Sequence, residues 1–423
     1  MKVLIRNVKV ISSTSSFNDQ IKDILIEDGM ITQIDNSISS GPAEIIEIEG
    51  LHVSEGWMDC FANFCDPGSE YKETIQSGSL AAATGGYTAV MLIPNTDPII
   101  DNKAQVEYIK QQNDPLVDIY PIGAVTKHCD GKELAEIYDM YNSGAIAFSD
   151  GQKPIQSAGI LLKALQYLLP IEGTLIQLPD DQSIGRSGVM NEGASSTLLG
   201  LPGKPAIAEE LLLARDIALA TYTGSRMHFT GVSTATSLQM ILDAKASDIK
   251  VSCSIAPYHF LFCDEELLEY DTNFKVNPPL RSKKDMLALR QALVEGKFDF
   301  IASHHQPQNW DNKNCEFEYA NYGMSTLETN FSAAMNSGVD IHTFVQMQTV
   351  HIRRVFGLPA STVEVGSVAN LTLFDPYKEY VFNSAASHSK SKNNALLNNK
   401  LRGKPHGIIN RNKVFLNSNY LIH

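Results

Sequence analysis

Residues Gly56–Gly68 read GWMDCFANFCDPG. The left half, Trp57 to Phe64, is an apolar and aromatic run of strand length, the pattern of a buried strand. The right half, Asp66-Pro67-Gly68, is turn chemistry. A buried strand running into a polar turn is where α/β barrels place their reactive groups.

Outward from that strand the same rhythm repeats. YTAVMLI, VDIYPIGAV, AIAFS, TLIQL, RMHFTGV, IKVSCSIA and FDFIAS are further strand-like runs, which makes eight in all. Amphipathic segments such as KELAEIYDMYNSG, AEELLLARDIALATYTG and KKDMLALRQALVEGK separate them, and several close on a glycine suited to a helix C-cap. Eight strands alternating with helices imply a (β/α)8 TIM-like barrel over residues 56–360. Periodicity alone leaves an open doubly wound sheet possible. Neither a G-x-G-x-x-G nor a P-loop occurs to give one a nucleotide-binding purpose. Residues 1–55 carry short alternating runs and a hairpin-like turn at Asp28-Gly29. β character returns in VGSVANLTLFDP and EYVFN, and SHSKSKNNALLNNKLRGK reads as a polar loop.

The 423 residues suit one large barrel with a smaller appended domain, and 43% hydrophobic content is ample for its core. A net charge of −14 argues against nucleic-acid or anionic-membrane binding. Six scattered cysteines form no C-x-x-C pair and suggest a reducing compartment. No apolar run is long enough to span a bilayer, and the N-terminus is too polar for a signal-peptide core. A cytoplasmic protein is the expectation.

A hydrolytic metal site at the strand ends needs imidazole nitrogens, carboxylate oxygens and an open position for water. The first strand offers Phe61, which has no lone pair to donate, and Asn63, a poor zinc ligand. The second ends in Pro94-Asn95-Thr96, the third in Thr126-Lys127-His128 and the fourth in Ser149-Asp150-Gly151. The fifth carries Gln177 before Pro179-Asp180, and the sixth reads Arg226-Met227-His228-Phe229-Thr230-Gly231-Val232-Ser233-Thr234. The eighth ends in Ser303-His304-His305-Gln306-Pro307-Gln308. Taken singly, Asn95 and Asp150 read as turn residues.

Together these stretches resemble the dihydroorotases, cyclic amidohydrolases that open the dihydroorotate ring. Gly56, Asp59, Pro67 and Gly68 match the family's first-strand motif. Further matches run from Met190-Asn191-Glu192-Gly193 through Leu199–Gly203 and Ala208-Glu209 to Lys275–Arg281 and Leu327-Glu328-Thr329. The resemblance covers most of the chain. It implies that the two terminal segments, 1–55 and 365–423, form one small β domain beside the barrel. It also implies metal-ligand histidines at the positions of Phe61, Asn63, Gln177 and Gly231, and a proton-shuttling aspartate at His304. Of the metal site, Asp150 alone matches. Substrate-holding asparagines fall on Asn95 and Asn277, while the groups that bind substrate carboxylate are replaced by Cys65 and Gln308.

The resulting expectation is a degenerate member with no metal and no hydrolysis. Some bacterial chains of this kind serve as structural partners of aspartate transcarbamoylase, and the resemblance implies that partner and a homo-oligomer here. Two alternatives stand beside it. His304, His305, His259, His128 and Asp150 could gather into a rebuilt zinc site of an active cyclic amidohydrolase. Or Asn95 and Asn277 could hold a pyrimidine-like ligand without chemistry.

Overall fold

The computed structural model describes residues 1–39, 41–112 and 116–417, so the expected C-terminal boundary at 418–423 lies outside the described residues. All eight expected strands form one parallel sheet in chain order: Trp57–Ala62, Tyr87–Leu92, Asp118–Gly123, Ala147–Phe148, Thr174–Gln177, Arg226–Phe229, Val251–Ile255 and Phe300–Ile301. The first two are buried at every residue. That is why they read as continuous apolar runs rather than alternating ones. Helices cover the outside. Ile75–Thr84 starts at Thr74, whose hydroxyl accepts the Ser77 N–H at 3.1 Å. Ile207–Thr223 stops at Gly224, at φ +69°.

First and eighth strands are brought together by a side chain as well as by the backbone. The Asn63 N–H donates to the His305 carbonyl at 2.9 Å. One turn deeper, Asp59 accepts the Ser303 N–H at 2.7 Å and the Ser303 hydroxyl at 2.6 Å. Asp59 is fully buried. Burial pushes its pKa up to about 7, against the opposing pull of the Ser303 hydrogen bonds.

A second sheet is assembled from both ends of the chain. Its order runs Lys413–Leu416, Lys400–Asn410, Asn370–Val381, His52–Glu55, Lys2–Val10, Ile21–Glu27 and Met30–Asp35, with Glu44–Ile46 also on Lys2–Val10. The Asp28-Gly29 hairpin is present, with φ +50° and +78°. Trp57 joins the two bodies. Its ring lies 4.8 Å from Phe331, 4.9 Å from Phe344 and 5.1 Å from Phe374 of the second sheet. A Cβ on neighbouring Gly56 would collide with Asn370 and Thr88, so only glycine lets the bodies approach this closely.

The polar stretch expected to be one loop differs in two ways. Lys400–Asn410 is a long strand. The part before it, 387–394, is a strap tied down on the barrel. Glu328 accepts the Ser387 hydroxyl and the His388 N–H, both at 2.6 Å. Glu73 accepts the Ser389 hydroxyl and the Lys390 N–H. Asn393 and Asn394 are buried, bonding to the backbone of Gln306, Gly323 and Ser325.

The seam has a pH signature. The folded state holds the Asp59 proton to higher pH than the unfolded chain does. Its contribution is complete below about pH 4 and is lost as pH rises through about 7. One such proton gives a slope of about 1.4 kcal/mol per pH unit in that window. Unfolding free energies from urea titrations at pH 5, 6, 7 and 8 should therefore decline less steeply in Asp59→Asn than in the parent. Identical slopes would remove Asp59 as the titrating group.

Candidate functional site

At the C-terminal ends of the barrel strands lies a cavity of about 350 Å3. Phe61 and His304 form part of its wall, from the ends of the first and eighth strands. Their rings are 4.7 Å apart and both residues have positive φ, +70° and +49°. Tyr258, Leu178, Tyr322 and Asn277 complete much of the rest. The charged core of the site is an ion pair. Lys204 Nζ lies 2.7 Å from Asp180 Oδ2 and donates to Asn277 Oδ1 at 2.9 Å. Both charged side chains are only 9% exposed. Gly188 passes so close that a Cβ there would lie 2.6 Å from Lys204 Cα.

A "Dihydro-orotase-like" family model matches residues 53–237, and an "Amidohydrolase family" model matches residues 204–404. The chain is 39% identical to the dihydroorotase of Pelotomaculum thermopropionicum, over 98% of this chain and 99% of that one. It is 38% identical to the dihydroorotase of Ruminiclostridium cellulolyticum, over 96% of each. The chain belongs to the dihydroorotase family. In fold it is also similar to the L-hydantoinase (dihydropyrimidinase) of Arthrobacter aurescens. The TM-score is 0.86 over 97% of this chain and 95% of that one, at 22% identity.

The metal that a dihydroorotase resemblance implies finds no matching donor set. Phe61 has no lone pair, and Gly231 has no side chain. Asn63 Oδ1 is occupied by the Cys65 N–H at 2.8 Å. Gln177 donates to Asp216 Oδ2 at 3.0 Å and accepts the Ile155 N–H at 3.3 Å. Asp150 is turned to the third strand end. It accepts the N–H groups of Val125 and Thr126 at 2.9 and 2.8 Å and the Thr126 hydroxyl at 2.5 Å.

The rebuilt zinc site is likewise not assembled. His304 faces the cavity with Nε2 2.7 Å from the Thr230 hydroxyl. Burial, with His259 nearby, holds its pKa down at about 3, so the ring is neutral at physiological pH. His305 points the other way, its Nδ1 accepting the Thr326 N–H at 3.1 Å, with Nε2 3.5 Å from Glu73. His259 Nε2 is committed to the Pro278 carbonyl at 3.0 Å. His128 sits outside, 81% exposed beside Asp101. No group of three or more His, Cys, Asp or Glu residues is placed to hold a metal among the described residues.

The two asparagines part company. Asn277 lines the cavity. Asn95 does not: it donates to the Asp150 carbonyl at 3.1 Å and accepts the Gln152 N–H at 2.9 Å, so it shapes the loop after the fourth strand. Cys65 is buried, and Gln308 is spent on the Tyr322 carbonyl at 2.9 Å. His228, on the sixth strand, is a packed core group stacked on Phe300 at 4.6 Å.

Sequence reasoning missed the Lys204–Asp180 pair. Its signal was present: Lys204 is the only charged residue between Glu192 and Glu209. A charge set between Gly203 and Pro205 in a neutral run calls for a buried partner.

Two substitutions test this geometry. Gly231→His puts a side chain at φ +66°, where its Cβ meets His304 Cε1 at 2.8 Å and Leu178 Cδ1 at 2.9 Å. A loss of roughly 1–3 kcal/mol in urea unfolding is expected. Unchanged stability would mean that the site still accommodates an imidazole there. Lys204→Ala should cost about 3–5 kcal/mol by leaving Asp180 buried and unpaired. Adding Asp180→Asn should recover part of it. Simple additivity in the double-mutant cycle would count against the pairing.

Proposed function

We propose that this dihydroorotase-family chain belongs to pyrimidine biosynthesis without hydrolysing dihydroorotate, and acts as a structural or regulatory partner of aspartate transcarbamoylase. One observation carries the reading. Each position where the family resemblance implies a metal ligand is either without a donor atom or has its donors engaged within the protein. Losing one hydrogen-bond partner of a metal ligand already costs on the order of 10–100-fold. Losing several ligands leaves no activated water. His304, in the place of the proton-shuttling aspartate, is neutral and tied to Thr230.

The barrel frame supports a role that depends on shape. Glu209 accepts the N–H groups of Ser233 and Thr234 at 2.9 and 3.2 Å, and Arg281 reaches Ser233 Oγ at 2.9 Å. Glu209 and Arg281 come from stretches that match the family resemblance. Aspartate transcarbamoylase as partner, and a homo-oligomer within that assembly, rest on family precedent alone. A second reading is favoured by the cavity. With Asn277, Lys204 and Asp180 on its wall, it offers polar partners to a pyrimidine-like ring, and binding without turnover is compatible with the partner role.

Purified protein supplied with zinc should show no dihydroorotate turnover, and mixed with aspartate transcarbamoylase it should co-elute through an interface of roughly 1,000 Å2 or more. Measurable turnover in protein free of contaminating enzyme would refute the loss of hydrolysis. Independent elution at micromolar concentration would refute the partnership.

A further inference from the structure

A second concavity of about 520 Å3 lies outside the barrel mouth, between the strap 387–394 and the helix Trp310–Lys313. Two aromatic side chains line it, Trp310 at 72% exposure and Tyr71 at 58%. Large exposed rings lining one concavity leave apolar area in water, though Lys72 Nζ also sits 5.7 Å from the Tyr71 ring. Three lysines also line it: Lys313 from the helix, and Lys390 and Lys392 from the strap.

The ammonium groups are fixed by neutral atoms. Lys390 Nζ donates to the Glu70 carbonyl at 2.7 Å. Lys392 Nζ donates to the carbonyls of Ser387, at 2.7 Å, and Ser389. Lys313 Nζ donates to the carbonyls of Thr272 and Lys275 at 2.8 and 3.3 Å. Carbonyls orient these groups without cancelling their charge. Of the acidic side chains near them, Asp271 accepts the Asn273 N–H and Glu70 the Gly68 N–H, both at 2.8 Å, while Asp271, Glu70 and Glu328 each also attract one of the three ammonium groups. In a chain of net charge −14, the cleft lining itself carries three lysines against one acidic side chain, Asp271. Burial and the Lys275 charge hold Lys313 down to about pKa 7, and a bound anion would favour its charged form. The strap presenting Lys390 and Lys392 is itself anchored through Glu73 and Glu328.

We propose that this cleft binds a nucleoside phosphate, with the base stacked on Trp310 and Tyr71 and the phosphates on the three lysines. Flat rings stack on exposed aromatics irrespective of base identity. Lysine serves phosphate as a point charge. The volume fits a ligand of this size. The cleft also shares a wall with the barrel cavity. Asn393, in the cleft, donates to the carbonyls of Gln306 and Gly323, which line the cavity. The proposal is independent of whether the barrel hydrolyses anything.

The chain's two tryptophans make the test direct. Trp57 is fully buried and Trp310 is exposed, so ligand-dependent emission and acrylamide quenching report Trp310. UTP, ATP and tripolyphosphate are titrated into the full chain, with calorimetry in parallel. Both nucleotides should bind, protect Trp310 from quenching and outcompete tripolyphosphate. Lys390→Gln combined with Lys392→Gln should weaken nucleotide binding roughly tenfold or more while leaving the melting temperature unchanged. Trp310→Ala should weaken the nucleotides and leave tripolyphosphate unaffected. The proposal is overturned by absence of binding at millimolar nucleotide. Equal affinity for tripolyphosphate, or nucleotide binding indifferent to the lysine pair, overturns it as well.

Discussion

The contact between Asp59 and Ser303 is the constraint on which the rest of this barrel depends. It ties the first strand to the eighth, 244 residues later in the chain. Parallel ladders hold the other neighbours in register, but at this seam a buried carboxyl does much of the work. Two residues beyond Asp59 comes Phe61, and one beyond Ser303 comes His304. Their rings meet across the seam and occupy part of the cavity wall. The same clamp that closes the barrel thus sets the geometry of its mouth.

Positions that match the family resemblance and positions that depart from it divide along physical lines. Glu209, Ser233 and Arg281 belong to one buried hydrogen-bonded network, where removing any member leaves a charged or polar group unsatisfied. Gly56 lies where no side chain fits. These positions answer to folding. At the strand ends where the resemblance implies ligands, the side chains present are bonded within the scaffold. Gln177 now pairs with Asp216, and Asn63 caps the Cys65 amide.

Most of the fold was legible because the barrel strands are short apolar runs punctuated by turns and helix caps, which are local signals. The cavity was half legible. Phe61, Asn277 and His304 could be placed by motif, whereas Asp150, His128 and His305 face elsewhere because loop conformation decides where a strand-end side chain points. The strap was the largest failure. SHSKSKNN has the composition of a solvated loop, yet Ser389, Ser391, Asn393 and Asn394 are all buried. Their partners lie far away in sequence: Glu73 and Glu328 for Ser389, and the carbonyls of Lys72, Gln306, Gly323 and Ser325 for the other three, and no local pattern announces such distant acceptors.

The sheet built from both ends has a consequence for how the molecule is made. Strand His52–Glu55 emerges early from a ribosome, but its antiparallel neighbour Asn370–Val381 follows about three hundred residues later. At ~5–20 residues per second, translation leaves that edge unpaired for on the order of tens of seconds. During that interval the nascent chain offers a strand edge with free N–H and C=O groups to any neighbour that can add to it. The barrel must be made while half of its companion sheet is missing. The last strands to be synthesised therefore close an interface that has stood open since the first, and polysome crowding is the condition under which this architecture is most exposed to mispairing.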